Sequence, residues 1–352
     1  MTQALIAAAL LGATFALTGP ALHADTPPAP PEAPMASVMI EDILTGHILP
    51  RVESLATTGA ALAETASTHC APEEPELRAV FASAFDAWIA MSHLRFGPSE
   101  AEQRAFALAF WPDPRSTGPR ILAGLLAEAD PIAETVTDYA QVSIAARGFY
   151  ALELLLYDPT LMTAGDPAYH CQLVQTIAAD IAATSAAMAA DWRERYAQAF
   201  TQPGPDAIYR SETEVLQEGF KALSTGLQFT SETRLRRPMG TFERPRPARA
   251  EARRSGRSAH HVAVSLTALA DLADRLSRND PKLNADLAAH FDRSLARLAA
   301  LEDPVFATVA EPSGRFRVEA LQYSIEEIRA LVSGSLGPTL GVAAGFNALD
   351  GD

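Results

Sequence analysis

The apolar residues of this chain recur at helical spacing along almost its whole length. Runs rich in Ala, Leu and Glu exceed ten residues, and no run of alternating β-branched and aromatic residues lies between turn signals. The chain has 352 residues, of which 48% are hydrophobic, so it can bury a large core. The sequence therefore predicts an all-α protein.

Breaks in this pattern divide the chain. The Pro-Gly-Pro of "TQPGPDA" predicts a boundary between two packed helical-bundle lobes, over about 38–201 and about 206–340, with a tail at 341–352. Irregular connections are expected, the longest from Phe96 to Pro119. The predicted helices cover Ser37–Ser67 with a kink at Pro50, Pro75–Leu94, Thr137–Tyr157, Asp166–Phe200, Asp206–Phe229, 258–278, 281–301 and 314–333.

Residues 1–24 are typical of a secretory signal peptide. They contain an apolar run of about fifteen residues and end on a small residue, so we expect cleavage after Ala24. A proline-rich, extended leader follows over 25–37. No later stretch is interpreted as a membrane span, and the domain at 38–352 is expected to be soluble in the periplasm.

The formal charge of −15 argues against a nucleic-acid partner, whose phosphates would repel the protein on average. Cations or a neutral surface are the partners that this charge favours.

Cys70 and Cys171 are the only cysteines. In an exported chain two lone cysteines predict one disulfide, here closing a loop of about 100 residues. Two buried free thiols are the alternative.

The stretch "RGFYALELLLYD" at 147–158 places one carboxylate, Glu153, among apolar residues. Tyr150 precedes it by three residues and shares its helix face. Because an unpaired buried carboxylate is costly, Glu153 needs a partner or partial exposure. The residues leave three interpretations open: an ion pair with an arginine, a metal or ligand site, and a partly exposed side chain.

Two further features carry chemistry. The Arg-rich segment, "RLRRPMGTFERPRPARAEARRSGR" at 234–257, contains nine arginines. Three interpretations of this segment stay open. It could be a solvated loop between the lobes, it could bind an anionic ligand, or one of its arginines could pair with a buried carboxylate such as Glu153. His47 lies on the apolar face of the first helix, as a core histidine or a ligand. The chain has no H-E-x-x-H, C-x-x-C or EF-hand pattern.

Several stretches together resemble the imelysin-like family of bacterial envelope proteins. The family signature is G-x-H-x-x-E, and "GFYALE" at 148–153 matches it at Gly148 and Glu153 but has Tyr150 in place of the histidine. The matching stretches, which span about 40–352, also include "ILPRVESL", "LRFGP", "FWPDPR", "RRSGRS" and the terminal "GFNALDGD". The resemblance implies two four-helix-bundle lobes with the signature helix at a cleft between them.

The resemblance also implies a link to iron acquisition, and it includes proteins first described as metallopeptidases. Phenolate and carboxylate oxygens suit Fe(III), so Tyr150 and Glu153 could form part of an iron site with His47 or Asp113 as extra ligands. Asp350 and Asp352 supply further carboxylates. The competing hypothesis is a structural lock in which Glu153 pairs with Arg254.

The sequence therefore predicts a periplasmic, imelysin-like protein that acts in iron uptake as a binding or accessory component rather than as an enzyme. Iron or another metal, and other envelope iron-uptake or redox proteins, are its expected partners. A metallopeptidase is one alternative. Another is an interaction module with a purely structural Glu153, which docks to a membrane or redox partner through the Arg-rich segment.

Overall fold

The computed structural model describes residues 33–342, and these residues form helices and connecting turns without a β-strand. The all-α prediction is thereby confirmed. In the first part of the chain the helices are α1 (Ala33–Ile43), α2 (Leu49–Thr68), α3 (Pro75–Met91), α4 (Arg104–Leu108), α5 (Thr117–Glu128), α6 (Val136–Tyr139), α7 (Gly148–Tyr157), α8 (Pro167–Asp191) and α9 (Ala197–Thr201). The later helices are α10 (Glu212–Gln228), α11 (Arg236–Met239), α12 (Ser258–Ser277), α13 (Pro281–Ala299), α14 (Pro312–Leu331) and α15 (Gly337–Thr339).

Local sequence sets where the long helices begin. The side chain of Asp166 accepts hydrogen bonds from the first free N–H groups of α8, and Ser211 and Asp280 do the same for α10 and α13. Proline occupies the first turn of α8 and of α13, where its missing N–H costs nothing. These signals explain why the predicted long helices lie close to the observed ones.

Two predicted segments differ from the structure. Only the last ten residues of the predicted helix Thr137–Tyr157 form α7, because Gly148 adopts a left-handed φ of +71° that starts a new helix there. The helix across Pro50 continues, but through a π-helical turn at Leu44–Ile48 that adds a residue just before the proline. That extra residue accommodates the proline, which lacks a backbone donor.

The helices pack in two sets that share one core. In the first set α2 packs against α3 and α8, and α7 packs against α8. In the second set α12 packs against α10 and α13, and α13 packs against α14. Contacts of α3 with α12 and of α1 with α10 join the sets, and one cluster of buried apolar residues extends through both. The division into lobes at 38–201 and 206–340 stays a prediction.

The predicted disulfide is confirmed. Cys70 follows the end of α2, and Cys171 is the fifth residue of α8. Their Cα atoms are 5.0 Å apart, and the sulfurs are bonded. The bond therefore closes the two ends of a long excursion that contains α3 to α7.

One helical stretch, Pro167–Thr201, is long and apolar enough to cross a membrane by length and composition, with a mean hydropathy of 1.3 in its most apolar window. The prediction that no stretch after the signal qualifies is wrong by that measure. The protein buries 56% of this window, because α8 packs against α2 and α7. The signal peptide at 1–24 and residues 25–32 of the leader lie outside the described residues. The prediction of an extended leader is wrong for residues 33–37, because they form the start of α1.

Candidate functional site

Gly148, the first residue of α7, packs closely against the backbone at the end of α4. A Cβ atom added to Gly148 would lie 2.1 Å from the carbonyl oxygen of Leu108 and 2.4 Å from that of Ala107. Together with the positive φ, this close approach explains why glycine occupies the first position of the "GFYALE" motif. The helix that follows is almost wholly buried. It carries Glu153 into the interior, and Tyr150 is partly buried against the core.

Tyr150 contacts the Arg-rich segment. Its hydroxyl donates a hydrogen bond to Glu251 Oε1 at 2.5 Å, and Arg234 Nε donates to Glu251 Oε2 at 2.7 Å. Only 2% of the Glu251 side chain and 3% of the Arg234 side chain are exposed. Burial alone would raise the pKa of Glu251, but the Arg234 guanidinium lowers it to about 2. Glu251 is therefore an ionised, internally paired carboxylate.

The Tyr150 phenol is held neutral. Burial raises its pKa well above the usual value of 10, and the charge of Glu251 raises it further. Its ring packs edge-on against Phe85 and stacks on Trp111, with centroids 5.1 and 6.1 Å away. The side chain is thus oriented as a hydrogen-bond donor towards Glu251.

Glu153 contacts a backbone turn of the same segment. Its Oε1 atom accepts from the Ser255 backbone N–H at 2.9 Å and from the Ser255 hydroxyl at 2.7 Å. Burial raises the pKa of Glu153, and the two hydrogen bonds from Ser255 oppose that rise. The structure therefore provides a partner for this buried carboxylate without an ion pair of its own.

The predicted ion pair between Glu153 and Arg254 is wrong, because Arg254 pairs with another carboxylate. Arg254 Nε donates to Asp158 Oδ2 at 2.6 Å, at the end of α7. Positive φ angles at Ala252 (+46°) and Gly256 (+72°) turn the backbone so that Ser255, one residue further on, contacts Glu153. We call the contacts of Tyr150, Glu153 and Asp158 with Glu251, Ser255 and Arg254 the α7 seam.

The last arginine of the segment contacts α3. Arg257 pairs with Asp86, which also accepts from His260 Nε2 at 2.9 Å. His261 is fully buried beneath this pair and packs edge-on against Phe85. Burial lowers its pKa, and its ring nitrogens lie 3.8 Å from Glu251 and 3.7 Å from Asp86.

His47 belongs to a second buried cluster. Its Nδ1 atom is 2.7 Å from Asp271 Oδ2, and its Nε2 atom is 2.8 Å from His93 Nε2. Because a carboxylate accepts at Nδ1, His47 Nε2 is an acceptor and His93 Nε2 donates to it. Burial lowers the pKa of His47 to about 4, and it lowers the pKa of His93 well below the usual value of a histidine. Both rings are therefore neutral, and His47 occupies the core as a satisfied histidine.

The structure does not bring the four predicted metal ligands together. Asp113 is partly buried in a loop, where Oδ2 accepts from the Gly118 backbone N–H at 2.8 Å in the first turn of α5. His47 lies in the cluster of Asp271 and His93, away from the partners of Tyr150 and Glu153. In residues 33–342, no group of three or more His, Cys, Asp and Glu side chains is arranged to hold a metal ion. Asp350 and Asp352 lie outside the described residues.

Sequence reasoning missed the residues that complete both clusters, namely Glu251, Arg234 and Ser255 in one and His93 and Asp271 in the other. One signal was available for the first: Glu251 and Glu243 are the only acids among the nine arginines of 234–257. Nothing local marks His93, since it lies in a short turn after α3 and meets His47 only through the fold.

The fold and its polar interior define a class, an all-helical protein in which a buried helix carries the G-x-x-x-x-E motif against an Arg-rich segment. The family model described as Imelysin, Peptidase_M75, matches residues 48–332. The chain belongs to the imelysin family.

Two solved structures share the fold. One is an imelysin-like protein from Psychrobacter arcticum 273-4, with a TM-score of 0.75 and 21% identity over 90% of this chain and 98% of that one. The other, from Parabacteroides distasonis ATCC 8503, is provisionally named an iron-regulated protein A precursor, with a TM-score of 0.69 and 13% identity over 86% of this chain and 95% of that one. No curated protein matches the chain.

Proposed function

We propose that this protein serves iron acquisition from the periplasm as a non-enzymatic accessory component, and that the α7 seam is a structural lock rather than a metal centre. The link to iron rests on membership of the imelysin family and on the name of the structural neighbour from Parabacteroides distasonis. Export rests on the apolar stretch at 1–24 and on the disulfide, a bond typical of proteins outside the cytoplasm.

The observation that carries the lock is the bond of Tyr150 to Glu251. A tyrosine ligand to iron binds as the phenolate, but this phenol donates to an ionised carboxylate, and burial raises its pKa. The Arg234 guanidinium beside Glu251 would repel a cation. Glu153 already accepts two hydrogen bonds from Ser255. The residues of the seam as they stand do not fit a resident iron ion.

A metallopeptidase would need different groups at the same place. Its metal requires several ligands and an open position for water. Tyr150 occupies the position of the signature histidine, and a neutral phenol is a poor ligand for zinc. The proposal therefore predicts no cleavage of a test protein, and no difference between the wild type and Glu153→Gln.

The lock is tested by the metal content of the exported protein, purified without a metal-affinity tag and measured by elemental mass spectrometry. After anaerobic ferrous and aerobic ferric loading, we expect well below one equivalent of iron, unchanged in Tyr150→Phe and Glu153→Ala. Near-stoichiometric iron that falls in both variants would overturn the lock and place an iron site on α7.

The role in iron acquisition is tested separately in the host bacterium. Deleting the gene should reduce radiolabelled iron uptake under iron limitation, and the full chain should restore it. A chain without residues 1–24 should fail to restore uptake, because it is not exported. Equal uptake with and without the gene would refute the role.

A further inference from the structure

The Arg-rich segment is attached to helices α7, α3 and α14. Glu251 and Ser255 bind it to α7, Arg257 binds it to α3, and Arg315 of α14 donates to the carbonyl oxygens of Met239 and Thr241 at 2.6 and 3.0 Å. Between these attachments the loop is compact, because Arg246 N–H donates to Pro238 O at 2.8 Å and Arg249 N–H to Arg246 O at 2.8 Å. The side chains on this loop are thus presented from a fixed backbone.

Five arginines of the segment are exposed and form no ion pair with any described residue: Arg236, Arg244, Arg246, Arg249 and Arg253. This contrasts with the rest of the segment, where Arg234, Arg254 and Arg257 each pair with a carboxylate. Glu243, the other acid of the segment besides Glu251, is also exposed and unpaired. In a chain with a net charge of −15, this concentration of unpaired cations is a local exception.

A sixth arginine lacks an anion as well. Arg237 lies over the Trp111 ring, with its guanidinium carbon 5.5 Å from the ring centroid, and its buried Nε atom has no hydrogen-bond partner. Burial lowers the pKa of Arg237, and the neighbouring charge of Arg249 lowers it further. Because no anion of residues 33–342 lies between these two cations, their charges favour the binding of an anion from outside the protein.

Aromatic side chains lie next to these cations. Phe242, at the tip of the loop, is 68% exposed, and Phe316 of α14 is 70% exposed. Arg315 connects them, because it adjoins Phe316 in α14 and its guanidinium carbon lies 5.8 Å from the centroid of the Phe242 ring. Exposed aromatic rings among arginines match the boundary of a bilayer, where phosphates meet acyl chains.

We propose that Arg244, Arg246 and Arg249, together with Phe242 and Phe316, form a surface that docks on the anionic phospholipid headgroups of a membrane facing the periplasm. Guanidinium groups bind phosphate oxygens in pairs, and the two rings enter the headgroup layer. The rest of the acidic protein is repelled by the same headgroups, so docking orients the molecule with this surface towards the membrane. The proposal rests on the export proposed above.

The test is co-sedimentation of the purified full chain with vesicles of phosphatidylcholine alone and with added phosphatidylglycerol. We expect binding to the anionic vesicles only, and loss of binding as sodium chloride rises. The variant R244S/R246S/R249S should bind on the order of 100-fold more weakly, at about fivefold per arginine. Its melting temperature should equal that of the wild type, since these side chains have no partners to lose.

A matched control removes the same charge elsewhere. Arg120, Arg193 and Arg210 are also exposed, and R120S/R193S/R210S should bind anionic vesicles to within about threefold of the wild type, because docking depends on the local surface rather than on net charge. Equal losses in the two triple variants would refute the surface.

Other outcomes overturn the membrane as the partner. Failure to bind vesicles of either composition would refute docking on a membrane. Complete release from the vesicles by inorganic phosphate, at an ionic strength where sodium chloride leaves binding intact, would also refute it. That result would indicate a binding site for a small anion. Because the assay uses purified protein, its failure would leave the iron-uptake result untouched.

Discussion

Tyr150 and Glu251 are 101 residues apart in the chain, and the hydroxyl of the first donates to the carboxylate of the second at 2.5 Å. This bond joins the buried helix that carries the family motif to the segment that displays the unpaired arginines. Tyr150 is therefore one of the residues that fix this segment in place, together with Glu153 and Asp158 of the same seam.

Replacing Tyr150 with Phe removes that donor and leaves Glu251 Oε1 buried without it. We expect a loss of about 1–3 kcal/mol in the free energy of unfolding, the cost of an unsatisfied buried acceptor. The measurement is urea denaturation followed by circular dichroism. Tyr157→Phe is the control on the same helix, because its hydroxyl has no hydrogen bond among the described residues, and it should cost less than about 0.5 kcal/mol. Equal losses in the two variants would argue against the bond.

Removing one member of the Arg234–Glu251 pair should destabilise the protein more than removing both. Arg234→Met leaves a buried carboxylate without its cation and should cost about 3–5 kcal/mol. Arg234→Met with Glu251→Leu removes both charges and should recover a large part of that loss. Thermal and urea unfolding of both variants measure the difference. A double variant that is the less stable of the two would show that the charges themselves stabilise the fold.

Local sequence predicted what depends on neighbours along the chain. The apolar residues around Glu153 indicated that this carboxylate needs a partner if it is buried, and the two lone cysteines predicted the disulfide. The partner of Glu153 was missed by one residue, because the choice between Arg254 and Ser255 depends on backbone angles at Ala252 and Gly256 that no residue pattern encodes.

Contacts between distant elements were the least predictable. His47 and His93 are 46 residues apart, and Asp271 is 224 residues from His47. Each is an ordinary polar residue in its own helix or turn. Only the packing of α2 against α3 and of α1 against α12 brings the three together. The same holds for the seam, where Arg234 and Glu251 are recognisable as a pair only once the intervening loop is folded.

The buried histidines predict how stability varies with pH. His47 titrates near its usual pKa of 6.5 when unfolded, but burial lowers its folded pKa to about 4 against the opposing hydrogen bond to Asp271, with Arg51 and Arg275 also nearby. The unfolded chain therefore binds more protons between these values, so this stability is complete above pH 6.5 and is lost as pH falls towards 4. His47 should account for a loss on the order of 3 kcal/mol.

Urea denaturation between pH 4 and pH 7.5 measures this slope. His47→Gln should be less stable at pH 7 but should have a shallower pH dependence than the wild type. His69→Asn is the control, since His69 is exposed, and it should retain the wild-type slope. A wild-type slope in His47→Gln would assign the dependence to other groups.

The disulfide should supply a substantial part of the folding free energy. Cys70 and Cys171 are 101 residues apart, and cross-linking a loop of that length removes entropy from the unfolded chain worth about 4–5 kcal/mol in the chain-entropy model. Cys70→Ser with Cys171→Ser should therefore lower the urea midpoint, and full reduction of the wild type should lower it similarly. Adding reductant to the double variant should change nothing, because no disulfide remains. A wild type that keeps its midpoint after complete reduction would refute this contribution of the disulfide to stability.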